Sequence, residues 1–190
     1  MADRVLDYGL KSLARFLKTV VSGINNAYVV SSDFDWDKRP TNAAPGNATE
    51  QRPLPFAGVV LVADDDPPFT VGNILYERNI QLNVELCCED HTNMVQLTAD
   101  MKQALRSATN AQTSDIGIVL YNFALASGSF FANAGTLQVE VGQTQYFGPE
   151  LPKHQGNRKY LSITPLMLTA FKDCTATLLE NMGRVGLTDD

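Results

Sequence analysis

The stretch RNIQLNVELCCEDHTNMVQLTADMKQALRSA, residues 78–108, changes its hydrophobic period halfway along. Up to Cys88 the apolar residues fall at every second position, as Ile80, Leu82, Val84, Leu86 and Cys88, with Asn79, Gln81, Asn83, Glu85 and Cys87 between them. That is the pattern of a strand with one buried face. Beyond Asp90 they fall at helical spacing, as Met94, Leu97, Met101, Leu105 and Ala108, while Asp100, Lys102, Gln103 and Arg106 occupy the other side. That is an amphipathic helix. Asp90 or Thr92 stands where a side-chain oxygen accepts from the free N–H groups of the first helical turn. The unit therefore predicts a strand that runs directly into a helix.

Upstream, Leu6, Leu10, Leu13, Leu17, Val20 and Ile24 recur at alternating spacings of four and three. They form one stripe along a helix of about six turns, which Asn25 and Asn26 end. Residues 27–34 read as a strand. Residues 35–56 hold four prolines among many polar side chains and predict an extended loop, and loops of that length are commonly functional or disordered. The apolar run 57–63 is a short strand closed by DDDPPF, residues 64–69. Downstream, residues 116–125 are a strand and 126–135 a tip of small residues exposing Phe130 and Phe131. Residues 136–147 alternate as another strand, 148–157 form a turn-rich connection and 158–171 a long strand. Pro165 cannot donate to a ladder, so that last strand is expected to bulge there or to lie at an edge. A short helix through Leu178 and Leu179 closes the chain. The sum is a single α+β domain over residues 1–190, an antiparallel-rich sheet with two packed helices in the order α-β-β-β-α-β-β-β. It carries long interaction loops and a hairpin extension at about 126–147.

A chain of 190 residues that is 44% hydrophobic is long enough for one ordinary core. Its formal net charge of −6 speaks against gripping nucleic acid through phosphates. No apolar run approaches the ~20 residues that span a bilayer. Asp3, Asp7, Arg15 and Lys18 argue against a signal peptide in the first helix. Three cysteines cannot all pair within one chain, and Cys87 and Cys88 would point to opposite faces of a strand. A reduced, intracellular setting fits best, with Cys88 a small core residue. The Asn47-Ala48-Thr49 sequon then goes unglycosylated.

Catalytic chemistry finds little to stand on. His91 and His154 belong to no two-histidine motif, no CxxC pair is present, and neither a phosphate-binding glycine loop nor a GxSxG elbow occurs. The acidic clusters Asp33, Asp35, Asp37 and Asp64, Asp65, Asp66 have the density for Mg²⁺ or Ca²⁺ but lack a calcium-loop pattern, so solvated turns are the expectation. No catalytic residue, cofactor or metal is expected. Trp36, Phe56, Phe69, Phe130, Phe131, Tyr146 and Phe147 lie in or beside loops, either folded back over the sheet ends or offered as interface anchors. As a set they favour a protein that works by contact. Trp36, Phe69, Phe130 and Phe131 are the expected anchors, with Arg39, Arg52 and Lys153 as rim charges.

A long N-terminal amphipathic helix, an extended loop, a strand ending near PPF, a strand of the type RNIQLNVEL feeding a helix of the type TNMVQLTADMKQALRSA, and closing strands together resemble the bacteriophage tail terminator (tail completion) family. The likeness runs from about Leu6 to Phe171 and is densest over residues 78–108; the loop 35–56 and the hairpin at 127–147 depart from it. The resemblance implies a virion structural protein, assembled in the host cytoplasm. It implies a homohexameric ring seated on the last ring of the tail tube, where it stops polymerisation and offers a joining surface to neck or head-completion proteins. Its partners would be further copies of itself, the tube protein and the neck, with DNA only passing through the lumen and no membrane involved. Alternatives are another neck or head-tail connector ring, a metal-dependent hydrolase using the Asp-rich loops, and a monomeric module with one deep ligand pocket.

Overall fold

The computed structural model describes residues 5–24, 26–30, 54–65, 75–127, 130–150 and 159–173, with side chains apart from those at 75–77, 124–127, 130–132, 149–150, 159 and 171–173. The alternating stretch forms a strand, β3 (Leu75–Cys88), longer at its start than the sequence suggested. Ile80, Leu82, Val84, Leu86 and Cys88 are all buried on one face, as the period of two requires. Two residues later the chain enters a helix, α2 (His91–Arg106). Of the two candidate caps, Asp90 is the one used: it keeps extended backbone, and its Oδ1 accepts from the Asn93 N–H at 2.7 Å. Met94, Leu97, Met101 and Leu105 turn inward with Thr98. The Thr98 hydroxyl bonds the Met94 carbonyl at 2.7 Å and meets the Ser162 hydroxyl at 2.8 Å, so neither buried hydroxyl lacks a partner.

The first helix, α1 (Val5–Val20), buries Leu10, Leu13 and Leu17 as expected. It is shorter than the predicted six turns. The chain leaves the helix after Val20 and turns through Gly23, whose φ of 95° suits glycine. A side chain there would also strike α2, since a Cβ would stand 2.7 Å from Leu97 Cδ2. Because the turn re-aims the chain, Val21 and Ile24 point into the core while Val20 is 53% exposed.

The remaining strands are β1 (Asn26–Val30), β2 (Phe56–Asp65), β4 (Ile118–Ser127), β5 (Phe130–Val141), β6 (Gln145–Glu150) and β7 (Lys159–Asp173). They join in the order β1-β2-β3-β7-β5-β4, with β6 also on β7. The class is α+β, but the element order is α-β-β-β-α-β-β-β-β. The alternating stretch 136–147 divides at Gly142 into the end of β5 and the start of β6. Both halves pair with β7 along one edge: between Val141↔Leu166 and Gln145↔Ile163 their chain advances four residues and β7 three. That extra residue is a bulge, and alternation alone cannot reveal it. The expected loop tip at 126–135 is instead largely strand, since β4 and β5 pair up to Ser127↔Phe130. The hairpin is thus integral to the sheet, β5 also pairing β7. The helices pack on the sheet rather than chiefly on each other, α1 against β4, β1 and β2, and α2 against β3, β5 and β7.

Two further features depart from expectation. Every pairing is antiparallel except β1 with β2, which run parallel. Parallel neighbours cannot be joined by a tight turn. Pro165 lies in a central strand, not at an edge, and the irregularity falls on its neighbour. Its carbonyl accepts from Gly142 N–H at 2.9 Å, so the donor it lacks faces the interruption between β5 and β6.

A buried polar knot ties the connection after α2 to the β4–β5 hairpin. Asn110 is fully buried; its Nδ2 donates to Gly135 O at 3.2 Å and Thr136 Oγ1 at 2.9 Å, and its Oδ1 accepts from Gln112 N–H and Asn133 Nδ2. Nearby, Gly117 has φ 138°, and a Cβ there would stand 2.2 Å from Leu137 O. We expect Asn110→Ala to destabilise the protein by about 2–4 kcal/mol, because it strands several buried groups at once. Ile116→Ala, six residues on and 76% exposed, should change stability by less than about 0.5 kcal/mol. Urea melts of the two variants check the contrast.

Candidate assembly surface

Of the expected anchors and rim charges, Trp36, Arg39, Arg52, Phe69 and Lys153 lie outside the described residues. Phe130 and Phe131 open β5, where their backbones pair with Ser127 and Ala126; their side chains lie outside the described set. Phe56 is no loop aromatic: it begins β2 and is 1% exposed. Tyr146 and Phe147 are exposed, on successive positions of β6 and hence on opposite faces. Leu178, Leu179 and His154 lie outside the described residues. His91 sits edge-on to the Tyr160 ring, with centroids 5.9 Å apart.

The acidic and thiol groups have structural environments. Asp64 takes both the Nε (2.9 Å) and an Nη of Arg78 across β2 and β3, in a paired arrangement that leaves the guanidinium nearly buried. Asp65 is exposed at the end of β2, and Asp33, Asp35, Asp37 and Asp66 lie outside the described residues. Burial pushes the Cys88 thiol up to about 12, with Cys87 and Asp90 adding to the effect, so it carries no thiolate at neutral pH.

The sheet has two unlike faces. Both helices lie on one. On the other, registered rows run across the strands: Tyr28, Gly58, Glu85, Ile163 and Gln145 in one, and Val30, Val60, Asn83 and Pro165 in the next. The charged side chains described on this face are Asp65, Glu85 and Glu140, all acidic. Glu85 is half-buried, and its desolvation raises its pKa above the usual carboxylate range. A shallow depression of about 350 Å³ opens here, bordered by Val62, Gln81, Asn83, Glu140, Pro165 and Met167.

The outer surface of the helices has the opposite sign. Lys11, Arg15, Lys18, Lys102 and Arg106 outnumber Asp7 and Asp100 on α1 and α2. Lys11 is paired with Asp7 at 2.7 Å, Arg15 lies 5.2 Å over the Tyr121 ring, and Asp100 accepts from Gln96 at 3.0 Å. Lys102 leans to Thr144 at 3.2 Å, while Arg106 is exposed. Helix α2 stands as a ridge between two open grooves. One, of about 560 Å³, separates it from the end of α1 at Phe16, Val20 and Ala104. The other, of about 470 Å³, runs between α2 and Tyr146.

Among the described residues, β1 and β4 end the sheet and β6 pairs only with β7, and on β4 the Tyr121 N–H donates to Ser12 Oγ at 2.9 Å. The described surface thus offers contact chemistry: one acidic sheet face and one basic helical ridge. Sequence reasoning found the helix and strand that build the two faces but not their opposed charges, because the sign of a face appears only once parity is fixed along every strand. No protein-family model matches the chain, and no curated protein matches it. Among the described residues no helix is long and apolar enough to cross a membrane.

Three outcomes follow. The folded chain holds the Glu85 proton more tightly than the unfolded chain, so its deprotonation opposes folding. Stability from this group is fully present below the ordinary glutamate pKa and lost as pH rises through the raised value. Glu85→Gln should therefore raise Tm at neutral pH, with the gain shrinking in acid; a gain that grows in acid would contradict this. Asp64→Ala should cost about 1–3 kcal/mol by leaving Arg78 without its carboxylate. Mg²⁺, Mn²⁺ and Ca²⁺ should leave the parent Tm unchanged, and a rise with any of them would revive a metal site.

Proposed function

We propose that this chain is a virion structural protein, a bacteriophage tail terminator whose copies form a ring on the tail tube, stop its growth and present a joining surface to the neck. What supports this function most directly is the unit at residues 78–108, where the likeness to terminators is densest. In the fold that unit is central: β3 is flanked by β2 and β7, and α2 lies across β3, β7 and β5. A packed centre with an acidic sheet face on one side and a basic helical ridge on the other suits a subunit that acts by binding neighbours. Capping needs no reaction. The ring binds the terminal tube surface, and its free face lacks what the next tube ring requires. An acidic chain also suits a lumen through which DNA passes without sticking. The proposed partners are further copies, six in a closed ring, the tube protein and a neck or head-completion protein. Another ring of the same neck would use the same kind of subunit.

Deletion of the gene from the parent phage, followed by electron microscopy of the particles, tests the proposal. Overlong tubes unattached to filled heads are expected. Tails of normal length with a different defect would assign the chain to another ring, and unaffected tails would remove it from the virion.

A further inference from the structure

We propose that copies of this chain associate head to tail, the α2 ridge of one copy seated on the next copy's acidic sheet face, on its exposed part around Gln81, Gln138 and Glu140. The two surfaces are complementary in sign. The ridge carries Lys102 and Arg106 against one acid, Asp100, which Gln96 holds at 3.0 Å, and the charged side chains described on the acidic face are Asp65, Glu85 and Glu140. They are also complementary in character. Val95 is 40% exposed on α2 and Tyr146 49% exposed beside it, while Ile163 and Met167 are half-buried on the acidic face around the depression at Pro165. Both surfaces belong to one chain and lie on opposite sides of one sheet, so a second copy fits each of them in turn. Such a contact is heterologous: it leaves a free ridge and a free face after every addition, and it ends only by closing into a ring. Half-buried Glu85 gains a cationic neighbour in this arrangement, which relieves its cost of ionisation. The inference deepens the ring function proposed above and rests on it for closure, but it differs from assembly through the sheet edges at β1, β4 or β6.

Site-directed disulfide trapping on the full chain tests it. Gln103 is exposed on the ridge and Gln138 on the acidic face, beside Glu140. Chains carrying Gln103→Cys and chains carrying Gln138→Cys are oxidised mildly, separately and mixed, with the unsubstituted chain as background. Linked dimers should form in the mixture and not with either variant alone, and a chain carrying both substitutions should give a ladder. Adding Glu140→Arg to the Gln138→Cys chain should lower the linkage about tenfold, and Arg106→Glu in the other chain should restore it. All these positions are at the surface, and circular dichroism melts verify that each variant is folded. No linkage in the mixture, or equal linkage in each variant alone, overturns the contact. A discrete oligomeric mass without this linkage overturns it too, while leaving the ring reading intact. Strong linkage together with normal tails in the deletion phage would keep the contact and overturn the terminator function.

Discussion

The one-sided burial of β3 is the constraint on which the structure depends. Its even-numbered side chains, from Ile80 to Cys88, pack beneath the helices, while β2 and β7 satisfy its backbone on either edge. A register slip of one residue would carry Ile80, Leu82, Val84 and Leu86 to the opposite face. Each is worth about 1.5–3 kcal/mol of burial, together comparable to the whole stability of an ordinary domain, about 5–15 kcal/mol. The placement of β2, β7 and α2 follows from that parity. So does the existence of a second face, made of the odd-numbered residues, with a different chemistry.

What could be read from the sequence depended on how local its cause was. The period switch near Asp90 is local, and both elements and the cap followed from it. The stripe overruns the end of α1 because Val20 and Ile24 continue it, whereas the chain turns at Gly23, whose φ of 95° suits glycine. The parallel pairing of β1 with β2 has no local signature at all. The length of the intervening chain, which suggested an interaction loop, is also what a parallel connection demands. Asn110 carries no signal in the sequence, because a polar residue between elements reads as a loop residue, and only the hairpin folded against it makes it interior.

The candidate site was less legible than the fold. Spacing singles out loop aromatics as anchors only on the argument that aromatic side chains outside the apolar rows need a partner. Phe56 shows the weakness of that argument, for it is buried at the start of β2, registered with Cys87 on the face away from the helices. The surface features that distinguish the described fold are collective: acids from several strands gathered on one face of the sheet, and cations on the outward turns of two helices. Neither is visible from spacing along a single segment, and their opposition across the sheet depends on strand order.

The pairing of Pro165 with the Gly142 bulge bears on how the sheet selects its alignment. Alternation rejects a shift of one residue, because every side chain changes face, but a shift of two preserves the faces and passes unnoticed. Strand β7 is fifteen residues long and shares one edge between two successive strands, a geometry with several such near-degenerate alignments. A shift of two would set the imide nitrogen of Pro165 against regular ladder, costing a hydrogen bond that the native alignment never needed. The proline thus acts as an index mark, distinguishing the correct alignment from its even-numbered neighbours, which hydrophobic pattern alone leaves indistinct.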